Sequence, residues 1–191
     1  MECAFKKLSV AKFGGSLLDA EGKGIPKILK RIKELKAKDQ FGPIVVFSAP
    51  MGCTDMLIRI GESYAQSTPL SLDPVFEIYE HLAKAHVKSK CQKQALNAMA
   101  NYKALTLTSL DSINKRFSGN IKARILTLGG ELAMSTLADY ILKSNGLDSC
   151  AISLENWPIV TDDNFEDAAP NYDLSLKRID SLIDPLEDGK I

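Results

Sequence analysis

The chain has 191 residues, of which 45% are apolar and 25% are charged, with 24 basic and 24 acidic side chains. This is the size and composition of one globular domain, and it excludes a disordered, collagen-like or coiled-coil chain. A net charge of zero disfavours a dedicated nucleic-acid binder, and apolar runs as long as a membrane helix are missing from the sequence. The four cysteines form no CxxC pair, so we expect a cytoplasmic protein in a reducing compartment.

A strand–helix–strand pattern opens the chain. Leu8–Phe13 reads as a strand, apolar residues recur at helical spacing from Ile25 to Leu35, and the apolar run Ile44–Ala49 reads as a second strand. Continuous apolar runs are typical of parallel strands that are covered on both faces. Residues 8–49 therefore predict one βαβ unit.

Helical patterns dominate the next hundred residues. Four helices are predicted between residues 54 and 144, and the last of them aligns Ile125, Leu128 and Leu132 on one face. Strand and helix then alternate again. Leu147–Leu154 reads as a strand, and a final helix capped by Asp173 is expected to carry Leu174, Ile179, Leu182 and Ile183.

The Lys12–Ser16 segment, KFGGS, joins the first predicted strand to the region of the following helix. Glycines let the chain turn sharply and let a phosphate approach backbone N–H groups, and a helix N-terminus adds positive potential. Lys12 adds a mobile positive charge that suits a transferring phosphoryl group. The segment indicates a phosphate site, although it is neither a P-loop nor a GxGxxG motif; the alternative is an ordinary turn with a surface lysine.

A second glycine-containing segment, Ser48–Asp55, comes directly after the second predicted strand. Because ligands bind beyond the carboxyl ends of parallel strands, we expect both segments at one edge of the sheet. Ser48 and Thr54 offer hydroxyl groups, and the N–H groups near Thr54 open a helix, which suits a carboxylate or a phosphate. Capping of that helix by Thr54 or Asp55 is the alternative.

Two adjacent glycines, Gly129 and Gly130, interrupt the last long predicted helix and precede Glu131. Each glycine costs a helix roughly 1 kcal/mol relative to alanine, so we expect a close approach to the backbone at this point. Glu131 would accept hydrogen bonds from a ligand ammonium group. Tight helix packing beside a solvated glutamate is the alternative.

Cys53 and the two histidines are weaker candidates. The thiol of Cys53 would be reactive if the helix N-terminus lowered its pKa, but a small buried side chain is the favoured interpretation. His81 and His86 lie five residues apart with no third ligand in view. We assign both histidines to surface or packing roles and predict no metal site.

These three segments, together with Thr161–Phe165 and its pattern Thr-Asp-x-x-Phe, resemble in order and rough spacing the aspartokinases of the amino acid kinase family. The resemblance covers about residues 7–191. It implies an α/β, three-layer αβα fold with a mostly parallel sheet and a helical insert at about residues 54–118. This long insert favours aspartokinase over acetylglutamate kinase and uridylate kinase.

The resemblance implies transfer of the ATP γ-phosphoryl group to the β-carboxylate of L-aspartate, with Mg²⁺ bound to the ATP. Lys12 would be the catalytic residue that stabilises the phosphoryl group. The remaining implied roles are phosphate binding by Gly14, Gly15 and Ser16, and amino acid binding by Ser48, Gly52, Thr54 and Glu131.

The chain corresponds by resemblance to the N-terminal, amino-acid-binding portion of an amino acid kinase domain, residues 1–191. It departs from the family pattern at Leu17 and at Glu166–Asp167, and it lacks the downstream Arg-Gly-Gly-Ser-Asp segment, the nucleotide-binding C-terminal part and the regulatory ACT domains. We expect no turnover by this chain alone, a homodimer or pairing with a C-terminal half, and no nucleic-acid or membrane partner. The alternatives are a non-catalytic aspartate- or phosphate-binding fragment, a split-enzyme subunit, or a kinase with another acceptor.

Overall fold

Two parallel strands begin the structure, a computed structural model that describes residues 8–38, 41–165, 167–179 and 188–191. Strand β1 (Val10–Phe13) pairs with β2 (Ile44–Phe47) in parallel, with Val10 opposite Ile44 and Phe13 opposite Phe47. Helix α1 connects them, which confirms the predicted βαβ unit. The helices among the described residues are α1 (Ile25–Lys36), α2 (Cys53–Ala65), α3 (Asp73–His86), α4 (Ser89–Asp111), α5 (Gly119–Leu126), α6 (Leu132–Ser144) and α7 (Tyr172–Ile179).

Helices α1 and α6 cover one face of the sheet. Phe13 and Phe47 point into this layer with their ring centroids 5.6 Å apart, and Phe47 shares a small apolar cavity with side chains of both helices. The other face carries Val10, Lys12 and Val46, and the two valines are 66% and 42% exposed. Among the described residues, the strands are therefore covered on one face, where the apolar run had predicted cover on both.

Helices α5 and α6 continue into each other through a π segment, Thr127–Glu131, in which the backbone hydrogen bonds span five residues instead of four. The whole run, Gly119–Ser144, is long and apolar enough to cross a membrane by length and composition alone, but more than half of its most apolar 18-residue stretch is buried inside the protein. It is a core helix rather than a membrane span.

The predicted strand at Leu147–Leu154 is wrong. This stretch is irregular and ends in a 3-10 turn, Leu154–Asn156. Its strand-like hydrogen bonds to described residues go to Ile191, which donates to Asp148 O at 3.0 Å and accepts from Cys150 N–H at 2.8 Å. A strand needs a neighbouring strand along its length, and among the described residues only Ile191 pairs with this stretch in this way.

The described residues between Val160 and Ile179 form a small hairpin followed by a short helix. Val160 O accepts from Asn171 N–H, and Asp162 N–H donates to Ala169 O, on either side of an antiparallel bridge from Thr161 to Pro170. Helix α7 is capped by the Asn171 side chain, which accepts from the Leu174 N–H at 3.0 Å, and Asp173 lies inside the first turn instead of at the predicted cap. The predicted continuation through Leu182 and Ile183 lies outside the described residues.

Candidate functional site

Ala49 is the point where the three glycine-containing segments meet. A Cβ built on Gly15 would lie 2.9 Å from the carbonyl oxygen of Ala49, and one built on Gly130 would lie 3.4 Å from the Ala49 Cβ. Ala49 itself is 5% exposed. Segments that are far apart in sequence therefore approach one another at the carboxyl ends of the strands, as predicted for the first two of them.

Backbone hydrogen bonds join the first two segments. We call residues 14–18 the first glycine loop and residues 48–52 the second glycine loop. Ser48 N–H donates to Phe13 O at 3.1 Å as the strands end, and Met51 N–H donates to Leu18 O at 3.0 Å. The parallel register continues in this way into two loops that lie side by side.

The first glycine loop does not lead directly into a helix, which differs from the prediction. Gly15–Leu17 forms a single 3-10 turn, and α1 begins only at Ile25. The Asp19 carboxylate accepts from the N–H groups of Glu21 and Lys23 at 2.9 and 3.1 Å, which stabilises a turn between loop and helix. No long helix N-terminus therefore points from this loop, and its positive charge comes from Lys12.

Open space surrounds the first of the paired glycines. Gly14 has an extended backbone, and a Cβ built on it would meet nothing within 4 Å. Ser16 and Lys12 are exposed beside it. Gly15 is packed against Ala49, whereas Gly14 leaves its backbone approachable, which is the feature that a phosphate-binding turn requires.

The second glycine loop does end in a helix N-terminus. Gly52 adopts the left-handed conformation, φ 83°, that favours glycine, and it precedes α2. No side chain in the described part of the chain caps this helix end, so the alternative of capping by Thr54 or Asp55 is wrong. Thr54 is exposed in the first turn and Ser48 is half-buried at the end of the strand.

Cys53, at the first position of α2, is fully buried. Burial raises the pKa of its thiol to about 12, against a lowering by the hydrogen bond with Tyr79, and the negative charge of Glu131 raises that pKa further. The thiol is therefore protonated at neutral pH, as expected for a small buried side chain. The influence of Glu131 also shows that its carboxylate lies near the start of α2.

Glu131 is exposed at the end of the π segment, directly after Gly130. The buried hydroxyl of Tyr79 lies 2.9 Å from both Gly129 O and Gly130 O. Tyr79 and Ala49 were missed as residues of this site. The apolar stripe of α3 indicated only a core role for Tyr79, and nothing in the sequence distinguishes Ala49.

The fourth segment, Thr161–Phe165, forms the exposed turn of the hairpin. Asp162 Oδ1 accepts from the N–H groups of Asn164 and Ala169 at 3.1 and 3.2 Å. The described hydrogen bonds of this segment stay within its hairpin. The structure thus brings Gly15, Gly52 and Gly130 with their neighbours to one edge, and it explains Asp162 as a local structural residue.

The fold and this edge define an α/β protein whose glycine-containing loops lie at the carboxyl ends of two parallel strands. The chain belongs to the amino acid kinase family, whose family model matches residues 7–191. The family implies kinase chemistry with ATP, usually together with Mg²⁺.

A solved structure shows the same fold. Escherichia coli aspartokinase III, in complex with lysine and aspartate in the T-state, matches with a TM-score of 0.62 and 18% identity. The match covers 96% of this chain and 39% of that one, so the chain spans well under half of the length of this relative. It confirms the α/β class with a parallel sheet, and the three-layer arrangement is consistent with it. Among curated proteins, no sequence matches significantly.

Proposed function

We propose that this chain is the amino-acid-binding part of an aspartate kinase, which transfers the γ-phosphoryl group of ATP to the β-carboxylate of L-aspartate and forms 4-phospho-L-aspartate. One observation carries the proposal: the two glycine loops and the Gly130–Glu131 backbone meet at Ala49. This supports a site in which a backbone open to phosphate, an uncapped helix start and an exposed carboxylate share one edge of the sheet.

The residues at one side of the proposed site suit a phosphate group. Gly14 leaves room for a phosphate against the backbone, and Ser16 and Lys12 flank it with a hydroxyl and an ammonium group. Lys12 would offset the negative charge that spreads over the phosphoryl oxygens as the group moves. Mg²⁺ would arrive on the ATP phosphates.

On the other side of the proposed site, the carboxylate and ammonium groups of the amino acid would each meet protein groups of complementary charge or polarity. The hydroxyls of Ser48 and Thr54 and the start of α2 at Gly52 would hold carboxylate oxygens, and Glu131 would accept hydrogen bonds from the ammonium group. A β-carboxylate oxygen then forms the new bond to the γ-phosphorus, the bond from that phosphorus to the bridging oxygen breaks, and ADP leaves. The chain's contribution to this step is positioning and charge stabilisation.

A second function is also testable, because the chain spans 39% of the matched aspartokinase and exposes Val10 and Val46 on one sheet face. In this alternative the chain is a non-catalytic module that binds aspartate or phosphate, and neither the chain nor the full gene product transfers a phosphoryl group to aspartate. Assays of ADP release from MgATP and L-aspartate, on this chain and on the full gene product, separate the two. Turnover with L-glutamate in place of L-aspartate would identify a different acceptor.

Binding tests the role of Glu131 without turnover. We expect L-aspartate to bind the chain in a calorimetric titration, and Glu131→Ala to weaken it at least tenfold because a charge-assisted hydrogen bond is lost. Glu77→Ala, which removes an exposed glutamate from α3, is the matched control and should bind as the wild type does. Equal affinity of wild type and Glu131→Ala would remove Glu131 from the site, and no binding by the wild type would overturn the proposed role of the chain.

A further inference from the structure

Tyr79 makes a buried polar contact between α3 and the π segment. Its side chain is 0% exposed in α3, and its hydroxyl reaches Gly129 O and Gly130 O across fifty residues of sequence. A phenol carries one proton, so the two carbonyls share it. The sulfur of Cys53 lies within hydrogen-bonding reach of the same hydroxyl.

The π segment accounts for a change in the spacing of the buried side chains along this helix. Leu128 is buried, and the next buried side chains are Ala133 and Met134, five and six residues later, instead of three or four. Leu132, which α-helical spacing had predicted on the buried face, is only half-buried. One extra residue in the turn rotates α6 by roughly 100° relative to α5, so both helices can face the core.

Such a widened turn requires a donor from outside the helix. When N–H groups bond five residues back instead of four, as Leu132 N–H does to Thr127 O, the hydrogen-bond ladder is one donor short. A buried carbonyl without a partner is costly. The Tyr79 hydroxyl supplies a donor from outside the helix at the carbonyls of Gly129 and Gly130.

We propose that Tyr79 is a positioning residue, whose hydroxyl holds the π segment in its widened form and thereby directs Glu131 toward the ammonium group of a bound acidic amino acid. This inference rests on the proposed function. Gly130 faces Ala49 and Glu131 is the next residue, so a return to α-helical spacing would rotate the carboxylate away from the two glycine loops.

The test compares Tyr79→Phe with Tyr102→Phe. Phenylalanine keeps the packing of Tyr79 and removes one oxygen. Tyr102 offers the matched control, because its hydroxyl also joins two helices, at 2.9 Å from the Thr136 Oγ1 of α6, and this hydrogen bond does not involve the π segment. Two ligands are titrated into each variant: L-aspartate, and succinate, which has both carboxylates and no ammonium group.

We expect Tyr79→Phe to bind L-aspartate roughly threefold to tenfold more weakly and succinate as the wild type does. Amide hydrogen exchange should become faster at residues 127–132 in this variant, and Tyr102→Phe should change neither property. Equal weakening of both ligands would show a merely structural role and overturn the inference, as would unchanged exchange at residues 127–132. If the wild type binds neither ligand, the proposed function fails, and the exchange measurement alone decides whether Tyr79 holds the turn.

Discussion

At the scale of single residues, Cys53 shows that burial can affect the pKa of a thiol more strongly than a position at the start of a helix does. A thiol at the first position of a helix is stabilised as a thiolate when it faces solvent. Here the side chain is fully buried, and the loss of hydration dominates. The pKa of about 12 leaves almost no thiolate at physiological pH, so the residue serves packing rather than reactivity.

Alkylation measures this directly. Among the three cysteines of the described residues, we expect iodoacetamide at pH 8 to modify the exposed Cys150 first and the half-buried Cys91 more slowly, with Cys53 reacting only after denaturation. Peptide mass mapping over time gives the three rates. Modification of Cys53 in the folded protein at the rate of Cys150 would show that its thiol is neither buried nor protonated as described.

At the scale of elements, the contact between the two glycine loops depends on one missing side chain. A Cβ on Gly15 would press on the backbone oxygen of Ala49, which cannot rotate away, whereas a Cβ on Gly14 would enter open space. The two neighbouring glycines therefore provide a matched pair of substitutions.

We expect Gly15→Ala to lower the free energy of unfolding by about 1–3 kcal/mol, because the loops must move apart to admit the methyl group. Gly14→Ala should leave the free energy of unfolding nearly unchanged. Urea denaturation monitored by circular dichroism compares the two variants. An equal loss in both would mean that the loops do not make the close contact seen at Ala49.

The sequence predicts an element best when local burial alone determines it. The apolar periodicity of α1 and the apolar run of β2 located the βαβ unit, because each pattern reflects the burial of its own apolar residues. The prediction was wrong where the structure of a segment depends on residues far away in the sequence. The π segment needs Tyr79 from fifty residues away, and the stretch at Leu147–Leu154 needs a neighbouring strand, so local spacing predicted a plain helix and a strand instead.

The candidate site shows the same division. Lys12, Gly14 and Thr54 could be predicted as site residues from the sequence, because glycine-rich strand ends and helix starts are local patterns. A helix start after the first glycine loop was wrong, because the Asp19 side chain stabilises an intervening turn that the glycines alone do not reveal. The paired glycines Gly129 and Gly130 were the sequence signal at this turn. Leu132 continues the helical spacing from Leu128, so the shift to Ala133 is visible only in the burial of the side chains.

At the scale of the whole molecule, His86 couples stability to pH. It lies at the end of α3 against Gly22, with Nε2 buried and lacking a hydrogen-bond partner among the described residues. Burial lowers its pKa, opposed by a hydrogen bond with the Glu21 backbone; the positive charge of His81 lowers the pKa further and the negative charge of Asp19 raises it. The folded protein therefore resists protonation of this ring.

We expect the stability that depends on neutral His86 to be complete above pH 6.5 and to be lost as the pH falls below that value, because the unfolded chain then binds more protons. Urea unfolding between pH 7.5 and 5.5 measures the slope, and His86→Gln should flatten it. His81→Gln, at an exposed position of the same helix, should keep most of it. A slope that is unchanged in His86→Gln would assign the pH dependence to other groups.

The strand pairing of Lys12 with Val46 has a consequence for the chemistry of the lysine. Both side chains share the uncovered side of the sheet with Val10. Any layer that shelters the two valines from solvent would also strip the hydration shell from the ammonium group. In that drier setting the attraction between the lysine and a phosphoryl oxygen would strengthen several-fold, so covering the valines would also strengthen the charge stabilisation proposed for Lys12.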